Sequence, residues 1–241
     1  MKAAITKFFS SLTIILLFFT FSETKAQDLS LGTDIYSRYI WRGLDLGGNT
    51  PSLQPYITLS AGGFSAGFWG AYSMSDPAGL NEIDVWASYV FDLSESGSLS
   101  LGLTDYTNPN SGVKWGNFNN YDDPEGPGAH FIELNVGYTG PESFPISLSF
   151  NYFLHNVAEN PIYFQVGYST SVKDVGLSLF VGGTPGEDVG YYGVTDFSLI
   201  NVGFKATKEI KVTDSFSIPL SGSVILNPSS EDIFYVVGIS L

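Results

Sequence analysis

Apolar and polar residues alternate with a period of two along most of this chain, and few folds accept that period. After Gln27, the residues Leu29, Leu31, Ile35, Tyr39 and Trp41 share one parity, while Ser30, Asp34, Tyr36, Arg38 and Arg42 share the other. Successive side chains of a strand point to opposite faces, so this spacing predicts a ribbon with one oily and one polar side. The pattern returns about every 15–20 residues, with Gly, Pro, Asn and Asp between. It predicts twelve strands, over 29–42, 53–61, 64–73, 82–91, 98–106, 130–139, 146–154, 162–169, 175–182, 198–206, 216–226 and 232–241. Most are near the ~9–11 residues that a tilted strand needs to cross a bilayer. Pro55 and Pro219 fall inside two of them and predict local breaks in pairing, because proline has no N–H to donate.

The first 26 residues read differently. Lys2 and Lys7 precede the apolar stretch 8–21, and Thr24-Lys25-Ala26 ends in a small residue. This is the layout of a secretory signal peptide cleaved after Ala26, so residues 1–26 are expected to be removed and 27–241 to form one exported domain. Composition agrees. The chain has no cysteine, and Lys+Arg is 10 against Asp+Glu 24, a formal charge of −14. No disulfide scaffold or thiolate site is possible. A nucleic-acid partner is excluded by the shortage of cations to neutralise phosphates.

An even number of strands with alternating connections predicts an all-β, transmembrane, antiparallel up-and-down β-barrel. Short turns lie on the side of the termini, and longer loops such as 107–129 and 183–197 lie on the other. The sheet must close, since an open edge in hydrocarbon leaves unpaired N–H and C=O groups. Charges support lipid on the oily side. Asp34, Arg38, Arg42, Glu82, Asp84, Glu133 and Lys205 all take the polar parity, and Asp105 alone takes the oily one, at a strand end. Aromatics near strand ends on the oily parity, among them Tyr39, Trp41, Tyr72, Tyr89 and Tyr138, suit two interfacial girdles.

Ser37-Arg38-Tyr39-Ile40-Trp41-Arg42-Gly43-Leu44-Asp45 resembles the opening S-x-Y-x-x-R-G motif of the TorF-like family of outer-membrane porins. Asn81-Glu82-Ile83-Asp84-Val85-Trp86 resembles that family's Glu-x-Asp strand, and Phe131-Ile132-Glu133-Leu134 a later Glu-containing strand. The resemblance implies an outer-membrane channel and names no solute.

The expected function is therefore passive diffusion of small hydrophilic solutes through a bacterial outer-membrane channel, with a mild cation preference. Tyr36, Arg38, Arg42, Glu82, Asp84 and Glu133 are the expected pore-lining residues. On a continuous strand Arg38 and Arg42 would stand about 13 Å apart on one face. Bulky Trp69, Trp86 and tyrosines predict a narrow bore, or one plugged by loop 107–129. Acidic loop residues Asp45, Asp76, Glu159, Glu187, Asp188 and Glu231 would draw cations to the outer rim. Partners are outer-membrane lipid and the solutes themselves.

No catalytic residue, cofactor or metal site is expected. Asp122-Asp123-Pro124-Glu125 has no EF-hand spacing and reads as a solvated acidic loop. Gly63-Phe64-Ser65-Ala66-Gly67 matches the nucleophile-elbow pattern but is followed by a strand rather than a helix. Two alternatives stay open: a lipid-modifying barrel enzyme using His130 or His155, and a structural or surface-interaction barrel with a filled lumen.

Overall fold

A computed structural model describes residues 27–75, 81–188, 190–214 and 216–241. The expected signal peptide and Asp76 lie outside them. Twelve strands close into an antiparallel barrel: β1 (Asp28–Tyr36), β4 (Ser52–Ala61), β5 (Phe64–Ser73), β6 (Asn81–Asp92), β7 (Ser98–Thr107), β8 (His130–Thr139), β9 (Ile146–His155), β10 (Ile162–Val172), β11 (Val175–Thr184), β12 (Ser198–Lys211), β13 (Ser217–Asn227) and β14 (Asp232–Ser240). Each strand pairs with its neighbour in sequence, and β1 closes on β14 through Asp34↔Ser240, Ile35↔Ile239 and Tyr36↔Gly238. The two remaining strands, β2 (Ile40–Trp41) and β3 (Leu44–Asp45), form a separate short hairpin.

The barrel is inverted relative to a soluble one. Leu31 is 71% exposed and Tyr235 70%, and Phe68, Leu101, Leu103, Leu148, Phe150, Val166, Leu179 and Phe204 are exposed on the same outer side. A soluble barrel would bury this parity in its core, whereas hydrocarbon is the solvent that such a surface needs. The inner parity carries Ser60, Ser65, Ser88, Ser100, Ser149, Ser178 and Ser223 toward the end that holds the termini. Several of these hydroxyls pair across strands, as Ser60 does with Ser65 at 2.9 Å.

The prolines behave as their missing N–H dictates. The β4–β5 ladder skips Gln54 and Pro55, and the β13–β14 ladder begins at Leu220, one residue past Pro219. Two bulges interrupt otherwise regular pairing. One lies opposite Ile132/Glu133 and leaves Leu154 of β9 unpaired; the other lies opposite Gly182/Gly183 and leaves Ile200 of β12 unpaired. At the turn end, Lys208 pairs with Asp174 and Lys211 with Asp214, both exposed and screened by solvent.

The largest departure from the sequence reading is at the start. The expected strand 29–42 stops at Tyr36, and the chain then leaves the wall. Tyr36 pairs directly with Ser52, so the whole of 37–51 is an excursion between two neighbouring strands. It folds inward.

Candidate functional site

Arg42 and Gly43 are the two central residues of the inward hairpin, between Trp41 and Leu44, which pair with each other. Both have positive φ, +51° and +79°, the left-handed combination of a two-residue type I′ turn. Glycine accepts that backbone freely; arginine does so at a cost. A second constraint excludes any side chain at Gly43. A Cβ there would sit 1.8 Å from the Ile200 carbonyl oxygen of β12. The Asn227 amide of β13 donates to the Gly43 carbonyl oxygen at 3.2 Å, so the turn is seated on the wall.

This turn delivers the Arg42 guanidinium across the bore. Nη1 and Nη2 donate to the two Glu133 carboxylate oxygens at 2.6 and 2.8 Å, a two-pronged pair. Glu133 belongs to β8, which lies five strands from β1 one way round and seven the other. The hairpin therefore spans nearly the full lumen. Glu133 is 0% exposed and also receives the Tyr106 hydroxyl at 2.9 Å and the Asn135 amide at 2.7 Å. Arg42 donates a further bond to the Tyr192 hydroxyl oxygen at 2.7 Å and lies over the rings of Trp41 and Tyr163 at 4.3 and 4.6 Å. Burial opposes the Arg42 charge, but the hydrogen bonds to Glu133 together with the electrostatic pull of Tyr192, Glu133 and Tyr106 outweigh it and hold its pKa above the usual arginine value. Burial likewise pushes the Tyr192 hydroxyl up, so it stays neutral beside the guanidinium.

Apolar packing holds the hairpin in place. Ile200, the extra residue of the β12 bulge, is 0% exposed and packs with Tyr163 and Tyr192 against Trp41, Leu44 and Val194. A bulge re-aims a side chain locally, here putting an isoleucine inside the lumen. Trp41 stacks on Tyr192 at 5.8 Å and meets Tyr106 edge-on at 6.0 Å. Tyr39 is buried against Trp69 at 5.4 Å. Neither Tyr39 nor Trp41 belongs to a lipid-facing girdle, because the strand that would have turned them outward ends at Tyr36.

Glu82 and Asp84 share the inner face of β6, buried beside Tyr39. Tyr36 is inside as well, its hydroxyl accepting from Lys205 Nζ at 3.1 Å. Arg38 is not in the constriction. It stands at the outer mouth, paired with Asp45 at 3.5 Å and hydrogen-bonded to Asn49. The expected 13 Å spacing of Arg38 and Arg42 along one strand face does not exist, because no strand joins them.

Loop 107–129 does not enter the bore. Its Trp115 and Phe118 cover His130, which has the outer parity; Phe118 stacks on the imidazole with centroids 3.7 Å apart. His130 Nδ1 meets Asp105 at 2.7 Å and Nε2 meets the Trp115 carbonyl oxygen at 2.5 Å. Both ring nitrogens are engaged. Asp122 and Asp123 accept hydrogen bonds from Asn120 within their own loop. Ser65, in the pattern resembling a nucleophile elbow, lies on β5 with Ser60 as its partner.

The Arg-Gly turn carries the first prediction. Gly43→Ala collides with β12 and is expected to unseat the hairpin. Trypsin should then cut after Arg42, a bond expected to resist it in the parent barrel, while the heat-dependent gel shift of the folded barrel is kept. Equal protection in the variant would show that the turn does not need glycine.

Among solved structures, a KdgM porin aligns with the chain at a TM-score of 0.49 and 12% identity, over 89% of this chain and 98% of that one. No curated protein sequence matches. The profile described as "Bacterial protein of unknown function (Gcw_chp)" matches residues 22–196, a span that holds the Arg-Gly turn, the Glu82/Asp84 strand and Glu133, and the chain belongs to that bacterial family.

Proposed function

We propose that the protein is an outer-membrane porin through which small hydrophilic solutes diffuse passively, with the hairpin 37–51 as its constriction. The observation that carries this reading is the inversion of the barrel, oily outside and hydroxyl-lined within. The resemblance of 37–45 and 81–86 to TorF-like porins supports it. The lining set is Tyr36, Arg38, Arg42, Glu82, Asp84 and Glu133. They act at three levels: Arg38 at the mouth, Arg42 with Glu133, Glu82 and Asp84 at the constriction, and Tyr36 with Lys205 in the wall. Arg42 is matched by Glu133, whereas no ion pair to Glu82 or Asp84 occurs among the described residues. Carboxylates outnumber cations at the narrowest level, which supports a preference for cations.

Planar-bilayer recording tests both parts. Stepwise currents are expected from the purified barrel, and a trace no different from leak would sink the channel reading while leaving the fold untouched. Glu82→Gln with Asp84→Asn should move the reversal potential in a KCl gradient toward zero. An unmoved potential would remove these two carboxylates from the selectivity argument.

A further inference from the structure

Above the hairpin the barrel mouth holds a cavity of about 440 Å³, lined in part by Arg38, Asp45, Asn49, Tyr192, Ser229 and Asp232. We infer that this vestibule is a binding site for a small uncharged polyhydroxylated solute, of monosaccharide to disaccharide size. The inference rests on the porin reading and names the solute class that the outer mouth receives.

Size comes first. The volume lies in the range of sites that enclose a small organic molecule, about 300–1,000 Å³. It is too small for a folded partner. Charge comes second. Among the described residues the one cation in the lining is Arg38, and it is already engaged by Asp45 and Asn49. Two carboxylates, Asp45 and Asp232, stand against it. An anionic solute would therefore meet two carboxylates against one guanidinium, and that guanidinium already faces Asp45. A cation would find one carboxylate, Asp45, already facing Arg38.

Hydrogen-bonding capacity comes third. Carboxylates accept only, amides both donate and accept, and hydroxyls do either. Asn49, Ser230, Tyr192 and Asp232 put all three kinds around one space, beside Asn227 and Ser229, whose side chains bond the neighbouring backbone. A solute dense in hydroxyls, each both donor and acceptor, can satisfy such a mixed set; one with a single charged head cannot. The same lining holds the apolar side chains of Leu44, Val194 and Phe234. The C–H face of a sugar ring packs on surfaces of this kind while its hydroxyls turn to the rim.

The floor is the hairpin itself, through Gly43, Leu44 and Asp45. A solute held here touches the same turn that carries Arg42 to Glu133. The vestibule is thus the last outer station before the constriction.

The test is saturation-transfer NMR on the mature barrel in an amine-oxide detergent, which carries no sugar headgroup. Glucose and sucrose are the probes, with galacturonate as anionic and glycine as zwitterionic comparators. Saturable signal from glucose or sucrose is expected, weakened at least about fivefold in both Asn49→Ala and Asp232→Ala. A glycine or galacturonate response equal to that of the sugars overturns the uncharged class. No saturable sugar signal, or signal unchanged in both variants, overturns the site. Conductance distinguishes the two levels. Sugar binding by a barrel that passes no current sinks the porin reading and spares the vestibule, and current without sugar binding does the reverse.

Discussion

Replacing residues 37–51 by a Gly-Ser turn of about four residues is expected to raise single-channel conductance several-fold. The fold should survive, because Tyr36 and Ser52 are already paired neighbours and a short turn closes them. The removed segment contributes Trp41, Leu44 and Arg42 to the lumen and only its two ends to the wall. Its loss leaves Glu133, Glu82 and Asp84 facing water, with no arginine among them. Reversal potential should therefore shift toward stronger cation preference as conductance rises. Equal conductance in the parent and shortened barrels, each folded by gel mobility, would mean that the hairpin is not what limits flow.

Truncating Glu133 to alanine carries the second large effect. Arg42 would keep its seat over Trp41 and Tyr163 but lose both carboxylate oxygens. Removing one partner of a buried ion pair leaves an uncompensated charge, at about 3–5 kcal/mol. Urea unfolding in detergent should show a loss of that order, or the hairpin should swing out to hydrate Arg42, seen as trypsin cleavage after it. The paired replacement Arg42→Met with Glu133→Leu separates the charge from the packing. It removes both charges at similar volume and is expected to restore most of the stability, since apolar substitutes for a buried pair are often neutral or better. If the double variant is as unstable as Glu133→Ala, the Tyr106 and Asn135 bonds to Glu133 matter more than Arg42 does.

The two predictions act on one device. The Arg-Gly turn reaches across the bore only because three independent elements meet it: the β12 bulge that supplies Ile200, the β13 amide of Asn227, and the β8 carboxylate of Glu133. Each comes from a part of the chain far from residue 42. That dispersion explains why the Arg-Gly motif could be noticed in the sequence while its role could not be read there.

Alternation by twos, turn residues and the sorting of charge onto one parity were enough to specify a twelve-stranded closed barrel with its oily side out. These are local properties: each strand's own side chains decide which face meets lipid, and pairing of adjacent strands follows from short connections. Glu82, Asp84, Glu133 and Tyr36 were legible as inward residues for the same reason. Where the wall ends was not legible. The alternation carries on past Tyr36 to Arg42, interrupted only by Thr33, Ser37 and Ile40, yet the ladder stops at Tyr36. A signal was present in Trp41-Arg42-Gly43-Leu44, two apolar residues around a two-residue turn with glycine second. Choosing between a longer strand and an inward hairpin depends on whether something across the barrel can pair with an arginine and pack on a tryptophan. Only the closed tertiary structure, which brings β8, β10 and β12 around the same point, decides that, because the free energy of burying Arg42 depends on partners that no local stretch of sequence contains.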